Sequence, residues 1–178
     1  FVLEKPTYLE NLKGQEFLEF VSIMFEMPED ISKTRINELL EFFELTTKPN
    51  ELIKNYSKGM RKKISLAAAI LPKPKLLVLD EPLEGLDPIS ANKTKKLLRT
   101  FVQNGGTVFF SSHELGTVED VCDDLVIINQ GKCVYQGPID NFRQQYSQAK
   151  NETTLPSLED IFVKLINKEA DPKTVSWI

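Results

Sequence analysis

The run Leu76-Leu77-Val78-Leu79, ending in Asp80-Glu81-Pro82, constrains the fold more than any other stretch of the chain. Four consecutive apolar residues closed by two carboxylates and a proline read as a buried strand followed by a turn, not as a helix. From about Pro88 the pattern becomes helical, with Leu97, Leu98, Phe101 and Val102 directed inward, and Gly105-Gly106 ends it. Thr107 to Phe110 is the next strand, Leu115 to Cys122 a short helix, and Leu125 to Ile128 a further strand. Strand, helix, strand, helix, strand predicts an α/β fold with a parallel sheet and right-handed crossovers. Such sheets collect ligands at the carboxyl edge of their strands, where Asp80, Glu81 and the sole histidine, His113, all fall.

The first part of the chain is helical by pattern. Phe17, Leu18, Val21, Met24 and Phe25 recur at helical spacing between Gln15 and Phe25, and Pro28 stops them. A second helix, Ser32 to Leu45, puts Ile36, Leu39, Leu40 and Phe43 on one stripe. A third starts at Ser57, whose hydroxyl can cap it, and runs to Leu71, with Pro72 and Pro74 beyond. Towards the other end, Gln130-Gly131 reads as a hairpin turn into Cys133-Val134-Tyr135. Helices at Asp140 to Tyr146 and Leu158 to Ile166 flank a polar loop, Asn151 to Thr154, and the tail from Ala170 to Ile178 carries no pattern.

Composition narrows the function classes. With 41% hydrophobic and 27% charged residues among 178, the chain falls with globular proteins and away from disorder. No apolar run approaches the roughly 18 residues of a membrane-spanning helix, so a membrane connection is expected through a partner. Cys122 and Cys133 are expected as reduced thiols. A net charge of -4, with Lys58 and Arg61-Lys62-Lys63 as the densest basic cluster, gives little reason to expect nucleic acid as a partner.

Taken singly, several segments have an ordinary structural reading. Asp80-Glu81-Pro82 suits a solvated turn, His113 a surface residue, Tyr56 to Met60 a serine-capped helix start, and Asp87-Pro88 an N-cap with proline at the first helical position. Neighbouring carboxylates at a sheet edge also suit a division of labour, one holding Mg²⁺ and the other deprotonating the water that attacks a γ-phosphate.

In order and spacing, Tyr56-Ser57-Lys58-Gly59-Met60, Leu76 to Pro82, Gly85-Leu86-Asp87 and Ser111-Ser112-His113 resemble the signature, Walker B, D-loop and switch-histidine segments of an ATP-binding-cassette ATPase. Ser57 and Gly59 match the usual L-S-G-G-Q signature, whereas Tyr56, Lys58 and Met60 depart from it. Phe1 to Pro6 resembles the segment around the Q-loop, with Glu4 where glutamine commonly stands, and Ser157 to Phe162 resembles the end of bacterial exporter-type cassettes. No G-x-x-x-x-G-K-[ST] phosphate loop occurs in the sequence: Gly131-Lys132 has Val126 in place of the leading glycine and Cys133 in place of the hydroxyl. The sequence is therefore expected to be truncated before the Q-loop.

The resemblance implies a partial P-loop NTPase-like parallel sheet with an α-helical signature subdomain. It divides the chain into residues 1–72 (Q-loop remnant and signature subdomain), 73–137 (Walker B, D-loop and switch histidine) and 138–178 (C-terminal helices and tail). It implies Glu81 as general base, His113 as sensor of the γ-phosphate, Asp80 on the metal side, and Ser57, Gly59, Asp87 and Glu4 toward nucleotide. ATP and Mg²⁺ are the implied cofactors. The implied partners are transmembrane permease subunits and a second ATPase subunit, at the inner face of the cell membrane. Two other classes fit less well: a nucleic-acid-linked ATPase of this architecture, and a non-catalytic module without a phosphate loop.

Overall fold

Local signals decide where the helices begin and end. The computed structural model describes residues 1–3, 9–147 and 157–167. Helix α1 (Gly14–Met24) opens on a capping box in which the Glu16 side chain accepts from the Lys13 backbone N–H at 2.9 Å. α2 (Glu29–Phe42) starts three residues earlier than expected, because Pro28 serves as its N-cap and Glu29 and Asp30 put negative charge in the first turn. α3 (Lys58–Ile70) is capped as expected, Ser57 Oγ accepting from Met60 N at 3.2 Å. α4 (Pro88–Gln103) ends in a Schellman pair, Gly106 N to Phe101 O at 3.1 Å and Gly105 N to Val102 O at 2.9 Å.

By contact the chain forms two compact units, residues 1–113 and 114–178. In the first, β1 (Leu76–Asp80) and β2 (Thr107–Ser111) pair in parallel, from Leu76 opposite Thr107 to Asp80 opposite Ser111. Val2 bridges β1 on its other side, donating to Val78 O at 2.9 Å and accepting from Asp80 N at 2.8 Å, in keeping with a strand end at Phe1 to Leu3. One core joins the helices to the sheet. Leu18, Ile36, Ile53, Ile64, Leu66, Leu77, Leu79 and Leu98 are all buried in it. Fully burying such a side chain contributes roughly 1.5–3 kcal/mol each, an upper figure since the unfolded chain already buries some area.

Two expectations about this unit need correction. Met24 and Phe25, placed on the inward stripe of the first helix, are 65% and 61% exposed, because α1 ends at Met24 and the chain turns away through Glu26 at φ 51. Leu76 in β1 is 52% exposed and Phe109 in β2 is 61% exposed. The helical core covers the face carrying Leu77 and Leu79, and among the described residues nothing comparable covers the opposite face.

The second unit contains α5 (Leu115–Val121), β3 (Asp124–Asn129), β4 (Lys132–Pro138), α6 (Ile139–Ser147) and α7 (Leu158–Asn167). Here the predicted third parallel strand is corrected. β3 pairs antiparallel with β4, with Gln130 (φ 47) and Gly131 (φ 75) forming the two-residue turn between Asn129 and Lys132. A primed turn of that kind matches the twist of a hairpin and gives β3 a partner at once. Leu125, Ile139, Phe142, Leu158 and Ile161 form its core. Arg143 of α6 and the Leu158 backbone N–H of α7 both donate to Glu119 Oε1 of α5, at 2.9 and 2.7 Å. Cys122 and Cys133 form no disulfide. The expected Asn151 to Thr154 loop and the Ala170 to Ile178 tail lie outside the described residues.

Candidate functional site

The carboxyl ends of β1 and β2 lie level, and this alignment brings four polar side chains together. Asp80, the last residue of β1, accepts from the hydroxyl of Ser111, its cross-strand partner, through Oδ1. Glu81 follows in the left-handed region at φ 45, its backbone N–H donating to Ser111 O at 3.2 Å. A non-glycine residue held there costs of order 1–3 kcal/mol and persists only where its surroundings fix it. The fixing is visible at the side chain. Glu81 Oε1 accepts from the His113 backbone N–H at 2.9 Å and lies 2.8 Å from His113 Nδ1. Glu81 is mostly covered, at 17% side-chain exposure, whereas the imidazole is 69% exposed. Nδ1 of His113 is thus committed to Glu81.

A second group lies on the loops flanking α3 and α4. Ser57 and Gly59 stand at the start of α3, and the segment from Glu84 to Asp87 packs against them. Gly85 has φ +79, and a Cβ on it would sit 3.0–3.2 Å from the Cδ, Cε and Cγ atoms of Lys58. A Cβ on Gly59 would come within 3.0 Å of Gly85 O. Glycine at both positions is what permits the two loops to touch. Across the same seam Lys58 Nζ meets Glu84 Oε1 at 2.6 Å, and Lys63 Nζ lies 3.9 Å from Asp87 Oδ2. The hydrogen bond from Lys58, aided by its charge, holds the Glu84 carboxyl below its ordinary value.

Asp87 is occupied with its own helix. It accepts from Ile89 N at 3.1 Å, Ser90 N at 3.0 Å and Ser90 Oγ at 2.6 Å, capping α4. The Ser90 hydroxyl and backbone N–H lower its pKa to about 2. The N-cap reading of Asp87-Pro88 thus describes the geometry. Glu4 lies outside the described residues.

Sequence reasoning gave no role to four participants, two of which, Ser111 and Gly85, stand inside the motifs it quoted. Ser111 holds Asp80, a contact that follows from the level strand ends. Glu84 pairs with Lys58, a partner suggested only by the opposite charge. Gly85 supplies the positive φ of the seam. Lys62, buried at 3% exposure on the inward face of α3, reaches the Asp80 carbonyl oxygen at 3.5 Å.

Comparison with known proteins gives this geometry a family. The family model described as ABC transporter matches residues 2–84. The ABC transporter ATP-binding protein YthP of Bacillus subtilis is 32% identical over 166 residues, 93% of this chain and 68% of that protein. The ABC transporter ATP-binding protein all4389 of Nostoc sp. is 37% identical over 142 residues, 79% of this chain and 42% of that protein. A solved structure described as the ATP binding subunit of an ABC transporter superposes with a TM-score of 0.83 at 28% identity, covering 93% of this chain and 67% of the other. The chain belongs to the ABC transporter family of ATP-binding proteins. Its mixed α/β fold, with a small parallel sheet and helices, is that of part of such a subunit. It spans between about two-fifths and two-thirds of the relatives it matches.

The residues present fit a nucleotide-borne metal better than a resident one. Among the described residues no group of three or more His, Cys, Asp or Glu side chains gathers to hold an ion. Mg²⁺ commonly takes one or two carboxylates and completes its shell with phosphate oxygens and water. Asp80, oriented by Ser111 at the sheet edge, suits that arrangement. No helix among the described residues is long and apolar enough to cross a membrane.

Proposed function

We propose that this chain is the signature, Walker B and switch-histidine part of an ATP-hydrolysing subunit that powers transport through transmembrane permease subunits. It would act as a dimer with a second ATPase subunit at the inner face of the membrane. The observation that carries the reading is the shared bond of Glu81 Oε1 to His113 N and Nδ1, beside Asp80 and at the edge of the parallel sheet. That arrangement fixes a carboxylate and an imidazole where one ligand can meet both.

In this reading Glu81 takes the proton from the attacking water as that water bonds to the terminal phosphorus and the bond to the departing diphosphate breaks. His113 holds Glu81 through Nδ1 and turns Nε2 toward the terminal phosphate. Asp80 would hold Mg²⁺, which on binding supplies charge neutralisation for the phosphate oxygens. Ser57 and Gly59 face a nucleotide held by the other subunit, with the first turn of α3 presenting backbone N–H groups to its phosphates.

Most of the grip on ATP would come from a phosphate loop, which this sequence lacks. Calorimetric titration with Mg-ATP should therefore separate the 178-residue chain from the whole protein. The whole protein should bind at micromolar concentration, while the chain shows no binding in that range and no hydrolysis above background. Micromolar affinity in the chain alone would overturn the division of the site. No binding by the whole protein would favour the non-catalytic alternative.

A further inference from the structure

We propose that Tyr56 is a positioning residue for Ser57 and Gly59, its hydroxyl seated on Gly14 so that the start of α1 sets where their loop stands. The inference rests on the reading of Ser57 and Gly59 as facing another subunit's nucleotide, and adds the side chain that holds them.

Tyr56 stands immediately before the Ser57 cap of α3, at a position where this chain departs from the usual signature. A tyrosine there brings a hydroxyl that needs a partner once it is buried. Tyr56 is 5% exposed and lies in the core with Leu18, Ile53 and Ile64. Its hydroxyl reaches the first residue of α1. A Cβ built on Gly14 would sit 2.5 Å from Tyr56 Oη and 3.5 Å from Cζ, so Tyr56 fills the space of a side chain there. Gly14 is helical and has no positive φ, so space rather than backbone conformation calls for glycine. The Gly14 N–H is one of the donors that a helix start leaves without an intrahelical partner, and a buried donor needs one. Tyr56 meets that need. Burial raises its hydroxyl above the ordinary tyrosine pKa, and the hydrogen bond from the Gly14 N–H opposes the rise.

The segments leading into α1 and α3 are already laced by their backbones. Ile53 N donates to Leu12 O at 2.9 Å, Lys54 N to Glu10 O at 3.0 Å, and Lys13 bridges Leu52. Arg61 of α3 reaches back to Lys54 O at 2.7 Å. The Tyr56 side chain continues this lacing to the last residue before the cap. Ser57 Oγ then holds Met60 N, and Gly59 stands against Gly85 O, so a shift at Tyr56 passes directly into both matched signature positions.

Size complementarity supplies the test, in steady-state ATPase kinetics of the whole protein with its permease subunits. Turnover is expressed per subunit that binds Mg-ATP, so that loss of folded protein does not enter. Gly14→Ala sets a methyl group against Oη and should lower kcat about tenfold, with KM for ATP near the parent value because the phosphate loop supplies most of the grip. Tyr56→Phe leaves the Gly14 N–H without its partner and should lower kcat about threefold. Combining the two should bring kcat back from the Gly14→Ala value to that of Tyr56→Phe, since the next atoms lie 3.4 Å or more from the new Cβ. Additive losses would overturn the contact. Parent-like kcat in both single variants, with only a lower thermal midpoint, would reduce the contact to core packing and overturn the positioning role. If Gly14→Ala does not fold, Tyr56→Phe decides alone, and a kcat equal to the parent's overturns the inference. Ser57→Arg separates the two levels. If it abolishes turnover while the Gly14 and Tyr56 variants turn over as the parent, this inference alone fails; if it has no effect, the nucleotide-facing reading of the loop fails, and the inference with it.

Discussion

At the edge of β1 and β2 the polar groups hold one another: Ser111 fixes Asp80, and Glu81 is gripped twice by His113 in a strained backbone conformation. On the loops beside α3, by contrast, order comes from close backbone approach, with Gly59 against Gly85, and the ion pairs Lys58–Glu84 and Lys63–Asp87 join side chains across it. The edge is preorganised, with a mostly covered carboxylate whose geometry is set before any ligand arrives. The loop seam carries Lys58, exposed at its side chain, beside the start of α3. In the proposed function the first construction serves a group that moves a proton, and the second a surface that closes on another subunit's ligand.

The comparison breaks most visibly at Glu81. In the whole protein, Glu81→Gln should cut turnover by about 10²–10⁴-fold, the usual effect of removing a general base. The amide oxygen can still accept from His113 N, so ATP binding and the ATP-held dimer should persist. Near-normal steady-state turnover would remove Glu81 from the chemistry and return Asp80-Glu81-Pro82 to a solvated turn.

A smaller effect is expected at Asp87, where the loop seam meets α4. Its pKa is lowered to about 2 by the Ser90 hydroxyl and backbone N–H. The group therefore favours the folded state fully above the ordinary Asp value of about 3.9, and this contribution fades as pH falls through about 2. Asp87→Ala should lower the thermal midpoint of the chain at pH 7 by loss of the cap, and the gap from the parent should shrink on titration toward pH 2. A gap that does not change with pH would mean that the carboxylate charge is not what caps α4.

Much of the frame could be read from the residues alone, because the signals were local. Ser57 announced the start of α3, Pro88 that of α4, Gly105-Gly106 its end, and Gln130-Gly131 the hairpin turn. Pairing between distant segments was less legible. Leu125 to Ile128 has the composition of a parallel core strand, yet a two-residue turn gives it β4 as an antiparallel neighbour, which alternation of strands and helices does not reveal. Met24 and Phe25 carry the right spacing for a buried stripe, but spacing does not say where a helix outruns its core. In the candidate site, Asp80, Glu81 and His113 were legible because the ends of neighbouring parallel strands share an edge. Ser111 and Glu84 were not, since their roles depend on register and on a cross-loop approach.

The division of labour between edge and seam is tested most directly by mixing two disabled copies of the whole protein. One carries Ser57→Arg with an intact phosphate loop, and the other a disabled phosphate loop with normal Ser57. Each alone should be nearly inactive in an ATPase assay. In the mixture one composite site joins an intact phosphate loop to an intact signature, so activity should return, and it should vanish again when Ser57→Arg is added to the second copy. Rescue that survives this last substitution would contradict the account, leaving Ser57 as an ordinary helix cap with no part in another subunit's site.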